Sequence, residues 1–358
     1  MLEILNNFKK RLLMNLIRQN IFGFVFVASL VIISIIINKI LSFNNILISS
    51  AFICILLGLF LGNTFDLSKK IDWFVNFSLK KILRIGIGFL GFSLSLTELF
   101  NYGSISLLLV VFNIIIAFII LNYLCKFFGI PNSLGYLITM GTCICGVTAV
   151  IATSSIIKSN KNETSYAVGI VTLFGMIAVF TYPYLAHYLF SSTPELAGVF
   201  LGTAIHDTAQ VSAAGVIYSE MYDSEVALNS SMTTKLLRNS FLILLIPLIS
   251  YLYNKDKNVN IKGSIKDFFP FFVVGFILCS LLRTIGDELI VDVIFLYWEQ
   301  YLVIIKDVSK YCILFAMAAL GLQTNLKSMS KLGIKPLAIG FTASASVGIL
   351  SIIYLKMI

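Results

Sequence analysis

The chain has 358 residues, of which 58% are hydrophobic and only 12% charged, and its net charge is +9. An ordinary soluble domain is about 25% charged, so this composition excludes one and reads as an all-α polytopic membrane protein whose short loops leave no room for a soluble domain. The positive charge is what Lys- and Arg-rich cytoplasmic loops produce, so it does not call for a nucleic-acid partner; the partner is the lipid bilayer. Cys54, Cys125, Cys143, Cys145, Cys279 and Cys312 all lie in apolar segments and form no disulfide framework.

In chain order, residues 1–20 are not a signal peptide. Leu2, Leu5, Phe8, Leu12, Leu13 and Leu16 recur at helical spacing among Lys9, Lys10, Arg11 and Arg18, which predicts an amphipathic helix on the membrane surface. Its basic residues place the N-terminus in the cytoplasm. Residues 21–358 then read as one transmembrane domain of about 10–11 spans, each needing about 20 apolar residues. Ile21–Ile40 and Ile46–Gly62 are the first two. The next loop, with Lys69, Lys70, Lys80 and Lys81, is expected inside. Ile82–Leu96 is a glycine-rich span whose Arg84 snorkels to the interface. Ser104–Phe128 returns, with Asn113 placed to tie two helices together. Glu163–Phe190 carries Pro183, expected to kink it, and His187, expected at the outer interface among aromatics. The loop with Glu220, Asp223 and Glu225 is expected outside. Glu225–Tyr253 spans back to a basic loop. Phe268–Ile285 goes out, Val293–Ile305 is expected to lie along the outer interface, Tyr311–Leu326 comes in, and Pro336–Leu355 is last.

Two stretches at the centre break the apolar pattern. Gly141–Ala152 (GTCICGVTAVIA) and Gly202–Ala213 (GTAIHDTAQVSA) match at an offset of 61 residues. Glycine costs about 1 kcal/mol against Ala inside a helix, and in lipid an interrupted backbone survives only where protein buries it or a wet cavity meets it. Matched interruptions of this kind point to a transporter's binding site. The interrupted segments run over 133–157 and 194–218 and meet near mid-membrane. Each is either a crossing broken helix or a re-entrant hairpin. Crossing puts the loop with Lys158 and Lys161 outside; hairpins put it inside and make the two enter from opposite faces. A second similarity, at an offset of 230 residues, pairs Lys80, Leu90, Gly91 and Leu96 with Lys310, Leu320, Gly321 and Leu326, as inverted repeats would.

Half-helices starting near Gly146 and near His206 would point free N–H groups at a shared cavity, a ready anion site. Thr142, Thr148, Thr203 and Thr208 add hydroxyl donors there, with Cys143 and Cys145 beside them. Ionisable groups in a membrane segment are functional candidates. A histidine ordinarily titrates near neutral pH and can carry a coupling proton, so His206 and Asp207 are the candidates for ion coupling. Gln210, one turn on, would bind substrate or brace the histidine. Lys235 and Arg238 share one helix face; buried, they would balance an anion or Asp207, and otherwise they are interface anchors. The Cys143-x-Cys145 pair does not have the spacing of a zinc site. No metal, cofactor or catalytic residue is expected, and the protein is not expected to be an enzyme.

These blocks, together with Lys235–Arg238 (KLLR), RIGIGFLGFSLSL from Arg84, and AMAALGLQTNL running on to GIKPL, resemble the sulfate-exporter family of YeiH-type bacterial membrane proteins over roughly residues 60–350. That family is related to sodium/proton antiporters and bile-acid symporter-like transporters. The resemblance implies inverted repeats, a core domain moving against a scaffold, the bacterial inner membrane, and a homodimer. The chain departs from it in having Asp207 where Glu is familiar, and Cys143 and Thr148 where smaller residues are familiar, so substrate identity does not carry over. The function expected is secondary transport of a small anion, sulfate or a related sulfur oxyanion, coupled to H⁺ or Na⁺. The alternative is a passive anion channel or a membrane receptor on the same fold.

Overall fold

The computed structural model describes residues 2–44, 48–65, 68–254, 271–289, 293–326 and 334–358. Every element among them is helical: α1 (Leu2–Phe43), α2 (Ser50–Thr64), α3 (Ser68–Phe77), α4 (Leu83–Leu90), α5 (Leu96–Phe127), α6 (Asn132–Cys143), α7 (Val147–Ile157), α8 (Lys161–Phe190), α9 (Pro194–Ala204), α10 (Thr208–Tyr222), α11 (Glu225–Ser240), α12 (Leu242–Asn254), α13 (Phe271–Leu289), α14 (Val293–Gln323) and α15 (Ile334–Leu355). A π turn at Ser78–Ile82 joins α3 to α4. Among the described residues, five stretches are long and apolar enough to cross a membrane: Asn20–Phe43, Leu96–Phe127, Lys161–Phe190, Glu225–Ile249 and Leu337–Leu355.

Several boundaries differ from the sequence reading. The surface helix and first span are one continuous helix, α1; the amphipathic reading of residues 1–20 concerns side chains outside the described residues. The segment expected as a lysine-bearing loop is α3, because Ile71, Phe74 and Val75 fall on one face and are buried there. The interfacial stretch from Val293 and the span from Tyr311 are likewise one helix, α14. The basic loop after α12 lies outside the described residues. Helix α8 runs unbroken through Pro183. Asn113 does tie two helices, its Nδ2 donating to Ser351 Oγ on α15 at 2.9 Å. Arg84 lies 5.7 Å from the Phe272 ring centroid, a cation–π contact. His187 stacks on Tyr222 with ring centroids 3.6 Å apart.

Two apolar cores organise the bundle. One gathers α1, α2, α4, α9, α10 and α14. The other gathers α5, α6, α7, α12 and α15. Helix α8 belongs to both, with Ile170 and Val171 in the second and Met176 and Val179 in the first, and α5 also reaches the first through Tyr102 and Leu109. The pair α11–α12 does the same, with Met232 and Leu236 in the first and Leu242 and Leu245 in the second. The middles of these two long segments therefore mark the junction of the cores. The segments matched at the 230-residue offset pack on each other: a Cβ on Gly86 of α4 would fall 2.8 Å from Cys312 Cβ of α14.

Both interrupted segments are helical hairpins. A Cβ on Gly141 of α6 would come within 2.7 Å of Val150 Cγ2 on α7. In a straight helix, nine residues apart means about 13 Å apart, so the chain folds back at the break. The second hairpin is read against α11. Gly198 lies on Ala227 and Ser230, and Gly202 on Ser231 and Thr234, so α9 runs parallel to α11. Asn239 bonds Thr208, and Gly215 lies on Leu228 and Ser231, so α10 runs antiparallel to it. The open end of the first hairpin lies with Lys126, Lys158 and Tyr253, where Tyr136 and Tyr253 rings sit 5.8 Å apart. The open end of the second lies with Glu195, Glu220 and Glu225. The hairpins thus enter the bundle from opposite ends, and their tips meet at the junction of the cores.

Candidate functional site

The site is the place where the two tips meet. Helix α6 ends at Cys143 and α7 begins at Val147, leaving Ile144, Cys145 and Gly146 as the first tip. Helix α9 ends at Ala204 and α10 begins at Thr208, leaving Ile205, His206 and Asp207 as the second. Each tip presents one C-terminal end, with unpaired carbonyls, and one N-terminal end, with unpaired N–H groups.

Lys235 and Arg238 serve the two C-terminal ends. Both are on α11 and both are buried, at 0% and 2% exposure. The Lys235 ammonium donates to the carbonyls of Ile144 at 2.9 Å and Ile205 at 3.0 Å, and also to that of His206. All three ammonium protons are therefore used. Arg238 Nε donates to the Cys143 carbonyl at 2.6 Å, Nη1 to those of Thr203 and Ile205, and Nη2 to that of Thr142. Two side chains thus pin both tips together. A cation at a helix C-terminus is favourable, and removing a buried charge's partners costs several kcal/mol. Burial overturns the interface-anchor reading of this pair.

One carboxylate lies between the two N-terminal ends. Asp207 Oδ1 accepts from the N–H of Ala209 at 2.9 Å, capping α10. Its other oxygen, Oδ2, faces Gly146, the residue just before α7. Gly146, at φ +65°, makes the approach possible: a Cβ there would lie 2.7 Å from Asp207 Oδ2. Gln210 completes a capping box. Its Oε1 accepts from the Asp207 N–H at 3.2 Å, and its Nε2 donates to the Thr172 carbonyl of α8 at 3.2 Å. Gln210 is therefore a brace between α10 and α8.

The remaining sequence candidates fall into two groups. Thr148 is exposed, and Asp207 and Thr208 are half-buried, so the N-terminal ends of α7 and α10 face open space. Thr142, Cys143, Cys145 and Thr203 are buried. The Thr203 hydroxyl turns back to its own helix, bonding the Val199 carbonyl at 2.8 Å. His206 is 1% exposed and its Nδ1 has no partner among the described residues. The sequence reading passed over Asn239. Its Nδ2 donates to Thr208 Oγ1 at 3.1 Å, while its Oδ1 is buried without a partner among the described residues. It also passed over Asn229–Thr234 (NSSMTT), all buried. The available signal was a polar run inside a segment that had to span.

Charge at this point can be counted. Each helix end is worth about half a charge, so two C-terminal ends and two N-terminal ends roughly cancel. Lys235, Arg238 and Asp207, counted as ionised, leave about one positive charge in excess. The excess sits beside half-exposed N–H ends, where an anion is stabilised.

The family described as Conserved hypothetical protein 698 matches residues 22–340 of this chain. The chain belongs to this family, the UPF0324 membrane proteins. It is 32% identical over 304 residues to the UPF0324 membrane protein FN0533 of Fusobacterium nucleatum, covering 83% of this chain and 88% of that one. It is 32% identical over 343 residues to a UPF0324 membrane protein of Clostridium tetani, covering 92% and 94%. Against the UPF0324 inner membrane protein YeiH of Escherichia coli it is 31% identical over 298 residues, covering 81% and 80%. No solved structure matches. As a UPF0324 protein with five helices able to span, it is a membrane protein.

Proposed function

We propose that the chain is a secondary active transporter of a small anion, with the substrate site between the two hairpin tips. The observation that supports this most is the meeting of two broken helices at one buried point, with excess positive charge beside half-exposed N–H ends. A structural protein gains nothing from breaking two helices there, since each break costs backbone hydrogen bonds that lipid cannot replace. Lys235 and Arg238 supply positive potential while held by carbonyls. In this reading the N–H ends and hydroxyls at Val147, Thr148 and Thr208 touch the anion. His206 and Asp207 are the groups that couple it to H⁺ or Na⁺. The substrate class is a small oxyanion, with sulfate and related sulfur oxyanions first.

The opposite entry of the hairpins supports a topology in which the Lys158–Lys161 loop and the N-terminus are cytoplasmic, by the positive-inside rule. It also suits inverted repeats and an exchange of access between the two sides, in the inner membrane of a bacterium.

The test is flux of labelled sulfate, with sulfite and taurine as competitors, into proteoliposomes under imposed pH and Na⁺ gradients. Accumulation driven by one gradient is expected. Equilibration without accumulation is the channel outcome. His206→Ala is expected to leave a folded protein that no longer accumulates substrate, and normal uphill uptake by that variant would remove the coupling role.

A further inference from the structure

Two further helix breaks match each other away from the tips. Leu94 and Ser95, between α4 and α5, and Thr324 and Asn325, just after α14, are non-helical. The two pairs stand 230 residues apart, the offset of the second sequence similarity. Their backbone groups are served in the same way. Ser280 Oγ of α13 donates to the Leu94 carbonyl at 2.9 Å, and the Leu96 N–H donates to Thr284 Oγ1 of α13 at 2.8 Å. At the other break Asn63 of α2 does both: its Nδ2 donates to the Thr324 carbonyl and its Oδ1 accepts from the Leu326 N–H, each at 2.8 Å. Asn63 and Thr284 each also donate to the carbonyl four residues back on their own helix. Just before each break, Gly91 lies on the Phe276 carbonyl oxygen and Gly321 on that of Ile55. The serving positions, 55 and 63 against 276 and 284, are a constant 221 residues apart. Unwound backbone inside a membrane protein needs such partners. A continued helix would need none, so a break kept twice, with its staple, points to a use.

Before the breaks, α4 and α14 pack with α2 and α13 through close glycine contacts: Gly58 and Gly86 on α14, and Gly91 on α13. After them, α5 and α15 carry Val110, Ile114, Ile339 and Ala343 into the second core. The breaks also lie at opposite ends. Asn229 Nδ2 donates to the Ser93 carbonyl one turn from Glu225, which pairs with Lys306 of α14. Thr324 follows α14 at its other end, about 25 Å along the helix from Lys306. We propose that the two breaks are paired hinges about which α5–α12 and α15 turn, as one body, against α2, α4, α13 and α14, and that Asn63 and Thr284 are the positioning residues that set them. This rests on the reading that the tips exchange access between two sides. Lys235 and Arg238 hold both tips within the turning body. A hinge is a few element-terminal residues that absorb the backbone change while their surroundings stay packed. Leu94 and Ser95 are extended, and each break is held by side chains of one neighbouring helix, which can swing where a helical ladder cannot.

Amide hydrogen exchange in the full-length protein in detergent tests this, read at the break that was not altered. In Asn63→Ala the remote Leu96 amide should exchange about fivefold faster than in the parent, and in Thr284→Val the remote Leu326 amide should do the same, because loss of one staple eases the opening of both. Thr284→Ser keeps the hydroxyl and should match the parent. A staple that only holds its own loop would speed exchange there and nowhere else. Faster exchange confined to the altered break, or a remote effect in one variant but not the other, would overturn the proposal, since coupling between two sites is reciprocal. Where a full removal does not fold, Asn63→Asp and Ser280→Ala each take one bond from a staple and are read in the same way. The measurement needs no transport. Coupled exchange without sulfate flux would retire the transport reading and keep the hinges; flux without coupled exchange would do the reverse.

Discussion

The hairpin tips and the α2–α14 contact hold helices together by opposite means. At the tips, two cations reach across open backbone to seven carbonyl contacts. Between α2 and α14 there is no charge in the contact, only absence of side chain. A Cβ on Gly58 would fall 2.6 Å from the Ala318 carbonyl oxygen, and one on Gly62 2.5 Å from that of Leu322. Gly321 answers from the other helix, against Gly58 Cα at 2.9 Å. Close backbone packing of small residues is the ordinary glue of membrane helices. Directional hydrogen bonds to a buried cation are not, and they fix one geometry. The bundle is thus specified by shape where it is scaffold, and by charge where the chain is broken.

Ion pairs on the acidic side join the two regions. Glu220 of α10 accepts from the N–H of Ser50 at 2.7 Å, capping α2, and pairs with Lys310 of α14 at 2.9 Å. Glu225 pairs with Lys306 at 2.8 Å nearby. Helices that carry the second hairpin are therefore held to the glycine-packed scaffold by contacts at the surface end, where water can exchange with them.

The largest effect is expected at the tips. Arg238→Met keeps the volume but strands the carbonyls of Thr142, Cys143 and Thr203, while Ile205 keeps Lys235, and should cost about 3–5 kcal/mol. Loss of a monodisperse peak in detergent, with Arg238→Lys only partly restoring it, is the expected result. A stable Arg238→Met protein would break the contrast drawn above. The scaffold comes next. Gly321→Val drives a branched side chain into the α2 backbone and should cost about 1–3 kcal/mol, read as a lower melting temperature, while binding at the tips is unchanged. Gly146→Ala lies between the two regimes. It forces an L side chain to φ +65°, ψ −129°, a glycine-only region that costs about 1–3 kcal/mol, and it pushes on Asp207. Its melting temperature should fall modestly, but its anion-dependent shift should change as well, which sharpens the difference between a packing glycine and a site glycine. The smallest effect belongs to the surface pair. Glu225→Gln removes a contact whose glutamate is 63% exposed; it should alter stability by no more than about 0.5 kcal/mol, with a loss that high salt masks in the parent.

Much of the centre was legible because its physics is local. Gly141, Gly146 and Gly202 in apolar segments, and polar residues at matching places after them, mark broken helices in any fold. His206, Asp207 and Gln210 stood out for the same reason, since ionisable and amide groups in lipid need a partner. Their roles were not legible. Gln210 is a brace because Thr172 of α8 lies beside it, and no local pattern announces that. Asn239 went unremarked because one amide after a basic pair looks like the end of a helix. The join of α1 with the amphipathic start, and of Val293 with Tyr311, was missed because charge marks where a helix leaves the apolar layer, not where it ends.

What the sequence by itself determined was the class, the places where helices break, and the residues that cannot be idle there. Hydropathy and glycine act over a few residues, so they are written in order along the chain. Whether each break is crossed or folded back was left to the tertiary structure. So was the discovery that Lys235 and Arg238 are spent on carbonyls and that the carboxylate capping α10 rests on Gly146 of the other tip. Those facts depend on carbonyls and N–H groups that every residue carries alike. Only the packing of two cores against α8 and α11 brings the right ones within reach.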